Sequence, residues 1–212
     1  MKRNNLIGRL CAVSLFAGGL MMGCGPDADP TPTPPAKKFD TPVKISAFFE
    51  GKTLVMEKDN IPTHPNGFLQ DLDFGASSQC YHKVTMVAEG GNFAVTSDLG
   101  TITGSSGVGT EGSCDRTTKS NTLSFKSKTV LIENVKDDGA CFDVTYTYDG
   151  FVQEGRASLN ADGTLLSLEI FLGAGKATGH RCADGAVGAK TVKFNAADFA
   201  GNAIQKYTIG AN

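Results

Sequence analysis

The sequence predicts an all-β fold, with a single antiparallel β-rich domain of about ten strands over residues 41–212. Polar and apolar residues alternate with a period of two in several short segments, as they do in strands that bury one face. Turn-forming residues separate these segments, and the chain is rich in glycine, with 26, but has no tryptophan. Neither a convincing helix nor an internal repeat is evident.

The clearest strands lie between residues 141 and 172. One apolar face comprises Phe142, Val144, Tyr146 and Tyr148, and a second comprises Leu166, Leu168, Ile170 and Leu172. Between them, Asp149-Gly150 and the segment 160–163 (Asn-Ala-Asp-Gly) suit tight turns, because Gly, Asn and Asp tolerate positive φ. The segment therefore predicts a three-stranded meander.

Weaker alternation predicts strands in eight other segments. These are 43–49, 52–58, 81–88, 92–98, 122–126, 129–135, 190–195 and 203–209. Sequential strands joined by local hairpins suit either a meander barrel, lipocalin-like in shape, or a β-sandwich. The dominance of local hairpins favours the barrel, and the sandwich remains the alternative.

The cysteines of the domain predict two disulfides. Cys11 and Cys24 belong to the leader and its end, which leaves Cys80, Cys114, Cys141 and Cys182. An even number of cysteines in an oxidising compartment is typical of disulfides, and four allow three connectivities. No Cys-x-x-Cys spacing supports a zinc ribbon or thioredoxin-like site. We expect the pairs 80–114 and 141–182, in which a cysteine that begins a strand joins one in a glycine-rich loop.

Residues 1–23 have the layout of a secretory signal peptide. Lys2, Arg3 and Arg9 precede an uncharged apolar run from Leu10 to Met22. That run is short for a membrane-spanning helix, which needs about 20 residues. An uncleaved anchor helix and ordinary cleavage near Ala28 are the alternatives.

The end of the leader, Leu20-Met21-Met22-Gly23-Cys24, resembles the lipobox of bacterial lipoproteins. In that family a small residue precedes an invariant cysteine that receives diacylglycerol before cleavage. The match rests on Gly23 and Cys24, and it departs where Met21 stands in place of the usual leucine. The resemblance implies lipidation of Cys24 and a membrane partner reached through the N-terminal acyl chains. Gly25 after the cysteine, where an aspartate often retains such proteins at the inner membrane, implies sorting to the outer membrane of the cell envelope.

Residues 24–40 are predicted to be a linker that starts at the lipidated cysteine. Five prolines between Gly25 and Lys38 block helix and sheet pairing and favour extended polyproline II. At about 3.1 Å per residue, such a linker would hold the domain up to about 40 Å from the membrane.

The charge balance excludes several classes of partner. The whole chain has 20 basic and 22 acidic residues, and removing Lys2, Arg3 and Arg9 with the leader leaves 17 basic and 22 acidic, a net charge of −5. Nucleic-acid binders gather basic residues on one face, so we expect no nucleic-acid partner. The mature chain also lacks a polybasic segment for anionic lipid.

Candidate catalytic residues are sparse, and we expect neither catalytic residues nor a cofactor. The Gly-x-Ser-x-Gly nucleophile motif is absent. His64, Asp71 and Asp73, on a long loop, form the best speculative metal set, because functional residues often occupy such loops. The simpler interpretation is a turn with solvent-exposed carboxylates.

Three functions are compatible with these observations. The tether, the spacer and the missing catalytic constellation favour a non-enzymatic envelope protein whose loops contact a partner protein or a surface polymer. The meander favours a carrier of a small apolar ligand, since a barrel of about eight strands can enclose one. A metal-dependent hydrolase that uses His64 with Asp71 or Asp73 is the third hypothesis.

Overall fold

A computed structural model describes residues 36–64, 67–69, 80–107, 109–148, 151–172, 177–194, 196–199 and 201–210. The chain in these ranges is mainly β-strand, and all pairings in its largest sheet are antiparallel. The predicted all-β class is therefore confirmed. No helix among these residues is both long and apolar enough to cross a membrane.

The first element corrects the sequence prediction, because segment 43–49 is the α-helix α1 (Pro42–Phe49) and not a strand. The Thr41 hydroxyl accepts a hydrogen bond from the N–H of Lys44 at 3.3 Å, and proline occupies the first turn. Both features are typical of a helix start. The expectation that the chain has no helix is wrong at this segment.

The burial of α1 explains the error. Ile45 and Phe49, four residues apart and so on one helical face, are buried, whereas Val43 is 78% exposed. In the sequence the same three apolar residues also alternate with a period of two, which matches a strand equally well. The Thr41-Pro42 start was the signal that distinguishes the two.

The largest sheet has nine strands and curls into a half-barrel. Its strands are β1 (Thr53–Glu57), β3 (Tyr81–Glu89), β4 (Asn92–Leu99), β7 (Asn121–Lys126), β8 (Thr129–Lys136), β9 (Cys141–Tyr148), β10 (Phe151–Leu159), β11 (Leu165–Leu172) and β15 (Gln205–Gly210). Their spatial order is β7-β4-β3-β1-β15-β11-β10-β9-β8. The predicted strands 52–58, 81–88, 92–98, 122–126, 129–135 and 203–209 correspond to six of them.

The predicted meander is confirmed as β9, β10 and β11, which are consecutive neighbours in the sheet. At the β10–β11 turn, the Asn160 side-chain oxygen accepts from the N–H groups of Thr164 and Leu165 at 2.8 and 2.9 Å. Gly163 has a φ of 73°, in the left-handed region that favours glycine. The other predicted turn, Asp149-Gly150, lies outside the described residues.

The two edges of the curled sheet are consecutive in the chain. Only Ser127 and Lys128 separate β7 from β8, so the strand ends lie within about 11 Å of each other, three Cα–Cα steps. The N–H of Ser127 donates to the Phe93 carbonyl on β4 at 2.9 Å, and that of Lys128 donates to the Thr147 carbonyl on β9 at 2.7 Å. This link therefore bonds to the strand next to each edge of the sheet and keeps the two edges close together.

Shorter elements flank the half-barrel. One small sheet contains β2 (Phe68–Leu69), β6 (Glu111–Asp115) and β5 (Thr101–Thr103), and the other contains β12 (Ala177–Thr178), β13 (Lys193–Phe194) and β14 (Ala197–Asp198). The predicted strand 190–195 is thus reduced to the two residues of β13. Three 3₁₀ helices span Lys58–Asn60, Asp137–Gly139 and Cys182–Asp184.

The main core lies on the concave face of the half-barrel. It joins α1 to the inner side chains of the strands, with Leu54, Met56 and Phe142 at most 1% exposed. Phe39, before α1, also belongs to it, and its N–H donates to the Asp138 carboxylate. Because this core and both disulfides fall within the compact unit 36–212, a chain that starts at Gly25 retains all the described contacts.

Candidate functional site

The concave face of the half-barrel is not completely filled. A cavity of about 100 Å³ lies among inward side chains of β3, β4, β7, β8, β9, β10, β11 and β15. Its wall is apolar, with aliphatic side chains such as Val84, Val95, Val144, Leu166 and Leu168. Most ligand pockets are apolar concavities with a few polar groups, so this cavity is the candidate site.

The helix covers one end of the cavity. Phe49, the last residue of α1, contributes to the lining, and its ring packs edge-on against Phe93 with 6.0 Å between ring centroids. Phe93 lies near the start of β4, and Phe142, another lining residue, near the start of β9. The cavity is therefore lined by aromatic rings where it meets α1.

Most of the polar side chains of the lining lie at or near one group of strand ends, which we call the polar end. Strands β3, β10 and β15 begin at this end and β9 ends there, since each neighbouring pair is antiparallel. The lining residues at or near those strand ends are Tyr81, Tyr146, Gln153 and Gln205. Gln153 stands directly opposite Tyr146 in the β9–β10 register. Tyr81, Gln153 and Gln205 are only partly buried, so solvent reaches this part of the lining.

Tyr207 connects the polar end to the apolar wall. Its hydroxyl donates a hydrogen bond to the side-chain oxygen of Gln205 at 2.8 Å, and its side chain is 3% exposed. Burial, and then the nearby phenols of Tyr81 and Tyr146, raise the pKa of Tyr207 well above its usual value. The phenol is therefore a neutral donor at physiological pH. Its hydrogen bond fixes the orientation of the Gln205 amide group.

The described lining of the cavity is uncharged. Lys, Arg, His, Asp and Glu are all missing from it, and its side-chain polar atoms belong to Ser97, the two glutamines and the tyrosines. A charged group placed inside would lose hydration without gaining a counter-charge. The electrostatic character of the site is thus that of an apolar pocket with hydrogen-bonding groups at one end.

The convex face of the same strands has the opposite chemistry. Arg156 on β10 and Glu169 on β11 are cross-strand partners with 0% and 1% exposure. Arg156 Nε and Nη2 donate to the two Glu169 carboxylate oxygens at 2.8 and 3.2 Å. Arg156 Nη1 donates to the Gly185 carbonyl at 2.8 Å, and the Gly188 N–H donates to Glu169 at 3.0 Å. The pair is bidentate and covered by the segment 180–192.

Asp143 on β9 extends this convex-face network. Its carboxylate accepts from the Cys182 N–H at 2.7 Å and from the Asn134 amide at 2.8 Å. Lys136 Nζ donates to the Cys182 carbonyl at 2.6 Å. Arg181 Nη1 donates to the carbonyls of Val144 and Gly155, at 3.1 and 3.0 Å. Each of these groups has a protein partner, so the network fixes segment 180–192 to the sheet.

Both predicted disulfides are present with the predicted connectivity. Cys80 pairs with Cys114, and Cys141 pairs with Cys182. Cys141 begins β9, as expected. Cys114 was expected in a loop, but it lies in the short strand β6 and opposite Ile102 of β5.

The speculative metal set is described at only one of its three positions. His64 Nε2 lies 3.9 Å from a Glu111 carboxylate oxygen, and the His64 ring lies 5.9 Å from the ring of Phe199. Asp71 and Asp73 lie outside the described residues, as does the predicted lipidation site Cys24. Within the described ranges no group of three or more His, Cys, Asp or Glu side chains is placed to hold a metal ion.

Sequence reasoning did not identify the residues that shape the cavity's polar end or the convex-face pair. Gln153 and Gln205 occupy inward positions of strands that were predicted. Their place in the inward–outward alternation was therefore the available signal. Glu169 alternates with the apolar residues Leu168 and Ile170 of β11, and Arg156 lies opposite it once the Asn160–Gly163 turn fixes the hairpin register.

Neither a protein-family model, nor a curated protein, nor a solved structure matches this chain. The fold and the cavity therefore stand on the geometry described above. What the chain is shown to have is a β-rich, barrel-like domain that is compatible with a binding or structural role.

Proposed function

We propose that this protein is a cell-envelope binding protein that holds a small apolar ligand inside its half-barrel. The observation that carries the proposal is the uncharged, apolar cavity of about 100 Å³ on the concave face. Apolar cavities in proteins exclude water and take up apolar molecules, and an engineered cavity of about 150 Å³ binds benzene. The site here suits a small molecule, or part of an alkyl tail whose head reaches the polar end.

The tether belongs to the same proposal. The leader and its lipobox-like end support lipidation of Cys24, and the proline-rich linker supports a spacer between membrane and domain. One acyl chain binds membranes only reversibly, whereas two or three supply stable anchoring. Metabolic labelling with a tagged fatty acid tests this step. We expect label on the native chain and none on Cys24→Ala, and an unlabelled native chain would remove the tether.

A second candidate function is contact with a partner protein or a surface polymer. The specific observation in its favour is at the sheet edges, where Leu123 on β7 and Leu131 on β8 are 42% and 46% exposed. Each lies on an edge strand of the nine-stranded sheet. The cavity favours the ligand carrier over this candidate because it supplies a site with both shape and chemistry.

Binding of 1-alkanols with four to ten carbons to the chain from Gly25 to Asn212 tests the carrier proposal. Val144 lines the cavity, whereas Val152 on β10 is 44% exposed, so Val144→Phe fills the site and Val152→Phe is its matched control. Calorimetry should show at least about tenfold weaker binding for Val144→Phe and little change for Val152→Phe. This loss corresponds to about 1.4 kcal/mol.

A second variant keeps the test decisive if Val144→Phe folds poorly. Phe125→Ala removes a lining ring and enlarges the cavity, so the preferred alkanol should become longer. Equal binding by all variants would place the site elsewhere. Failure of the unaltered chain to bind any alkanol would overturn the carrier function.

A further inference from the structure

We propose that the natural ligand is an uncharged amphiphile whose polar end accepts a hydrogen bond from the glutamine end of the cavity. This inference rests on the proposed carrier function and specifies the class of ligand. Its head group would be an amide, ester, ketone or alcohol, and the cavity would discriminate against an ionised carboxylate or ammonium group on the same tail.

The direction of the Tyr207 hydrogen bond determines which partner the ligand must supply. The phenol donates to the Gln205 side-chain oxygen, so that oxygen is already occupied at 2.8 Å. The Gln205 amide then presents its N–H groups as donors. A ligand atom at this end therefore makes the better bond when it is an acceptor, such as a carbonyl oxygen.

The tail is specified by the rest of the wall. Apart from Ser97, the two glutamines and the tyrosine hydroxyls, the lining consists of apolar side chains, and Phe49 of α1 is one of them. An alkyl or small aromatic tail would bury apolar surface along this wall, at about 25 cal/mol per Å². The polar head would remain at the half-buried end of the sheet.

The absence of charge from the described lining disfavours an ionised head group. A carboxylate buried there would find no Lys, Arg or His among the described lining residues. An ammonium group would likewise find no Asp or Glu. Buried charges without partners are strongly unfavourable, whereas a neutral amide loses less hydration and regains a hydrogen bond.

The charges near these strands are used elsewhere. Arg156 and Glu169 bond to each other on the convex face, and Arg181 bonds to backbone carbonyls of β9 and β10. Inward and outward positions alternate along a strand, so the Arg156 and Glu169 side chains project away from the cavity. The site is therefore an uncharged compartment on a sheet whose other face carries buried charges.

Octanamide, octanoate and octylammonium test the inference because they share a tail and differ in head charge. We expect calorimetry at pH 7, with the chain from Gly25 to Asn212, to show that octanamide binds about 10-fold to 100-fold more tightly than either ion. Octane serves as the tail without an acceptor and should bind more weakly than octanamide when its low solubility is taken into account.

Substitution at the polar end should reverse the selectivity. Gln205→Lys places a cation beside the head group, so octanoate should become the preferred ligand over octanamide. Gln153→Lys is the second variant, and it leaves the Tyr207–Gln205 bond in place if Gln205→Lys impairs folding. Gln205→Leu removes the donor and should weaken octanamide binding while changing octane binding little.

The outcomes separate this inference from the carrier function. If all eight-carbon probes bind equally, or if octanoate binds most tightly to the unaltered chain, the neutral-amphiphile inference is wrong and the carrier function stands. If none of the probes binds, both are wrong. Tight octanamide binding that both lysine substitutions leave unchanged would also overturn the assignment of the head group to the glutamine end.

Discussion

The two faces of the β9–β10–β11 meander bury side chains of different chemistry. On the concave face, Val144, Leu166 and Leu168 are apolar, and packing remains incomplete around a cavity of about 100 Å³. On the convex face, Arg156 and Glu169 are as deeply buried, but their polar atoms bond to each other and to segment 180–192. The same strands therefore carry an unfilled apolar site and a filled polar one.

This difference indicates which face is available for ligand binding. A network of charges whose hydrogen bonds are satisfied has a defined geometry and no hydrogen-bonding capacity left for a ligand. Its role is therefore to hold the covering segment on the sheet. Apolar contacts are non-directional, and a partly filled apolar face can accept an additional apolar molecule. Function is therefore assigned to the concave face and stability to the convex face, and four experiments test that division.

The largest effect is expected from breaking the buried ion pair. Glu169→Leu leaves the Arg156 guanidinium without its carboxylate at 0% exposure, so the free energy of unfolding should fall by about 3–5 kcal/mol. Urea denaturation measures the loss. Glu154→Gln is the control, because Glu154 lies on the neighbouring strand β10 and forms a solvent-exposed pair with Arg181; it should cost less than about 1 kcal/mol.

The double variant Arg156→Met/Glu169→Leu sharpens this test. Apolar replacement of both partners removes the uncompensated charge, and such replacements are often neutral or stabilising. Most of the stability lost in Glu169→Leu should therefore return. A double variant as unstable as the single one would show that the cost arises from packing and not from the unpaired guanidinium.

The next effect concerns the disulfide that anchors the convex-face cover. Replacing Cys141 and Cys182 by serine opens a cross-link with a sequence separation of 41, which the chain-entropy model values at about 4 kcal/mol. Amide hydrogen exchange at Gly188 should accelerate, because segment 180–192 loses its covalent link to β9. Below the lowered melting temperature, alkanol binding to the concave cavity should persist.

The Cys80–Cys114 bridge provides the matched control. Its sequence separation of 34 predicts a similar loss of stability when both cysteines become serine. Exchange at Gly188 should then remain slow, since neither cysteine contacts segment 180–192 through the described convex-face bonds. Equal acceleration in both variants would mean that global unfolding, and not local release, controls that amide.

Filling the cavity should be less costly than overpacking the core beside it. Val144→Ile adds one methyl group to a side chain that lines the cavity, whereas Ala157→Val enlarges a fully buried inward residue that does not line it. Overpacking a dense core costs about 1–3 kcal/mol. We expect that loss for Ala157→Val and less than about 1 kcal/mol for Val144→Ile by thermal denaturation, and the reverse order would contradict the position of the cavity.

The strand prediction succeeded where local sequence determines structure. Alternation and the Asn160–Gly163 turn were sufficient for the β9–β11 meander, because hairpins depend on neighbouring residues. It failed at Val43–Phe49, where the alternating residues also match one helical face and the capping by Thr41 and Pro42 decides between them. Strands of two residues, such as β2 and β14, exist through tertiary pairing and have too few residues for a periodic signal.

The candidate site was less accessible to sequence reasoning. The disulfide pairing could be proposed, since it followed from where each cysteine lay along the chain. The cavity could not, because a void depends on how closely nine strands curl and which inward side chains are small at that point. Gln153 and Gln205 gain their importance only when β10 and β15 present them at the same end of the sheet.

The smallest effect concerns the neutral character of the concave face at high pH. Burial raises the pKa of Tyr207, so the folded chain keeps this proton at pH values where the unfolded chain, with a pKa of about 10, releases it. Stability from this group is complete below about pH 10 and is lost as pH rises above it, with a slope of at most about 1.4 kcal/mol per pH unit.

Tyr207→Phe isolates this contribution, because lysines and the other tyrosines titrate in both proteins. The variant loses the hydrogen bond to Gln205, worth about 1 kcal/mol, so it should be less stable at pH 7. Above pH 10 its stability should decline less steeply than that of the unaltered chain, and urea denaturation at several pH values measures both slopes. Parallel slopes would mean that Tyr207 ionises without unfolding the concave face, and an anion would then be tolerated where we expect only neutral groups.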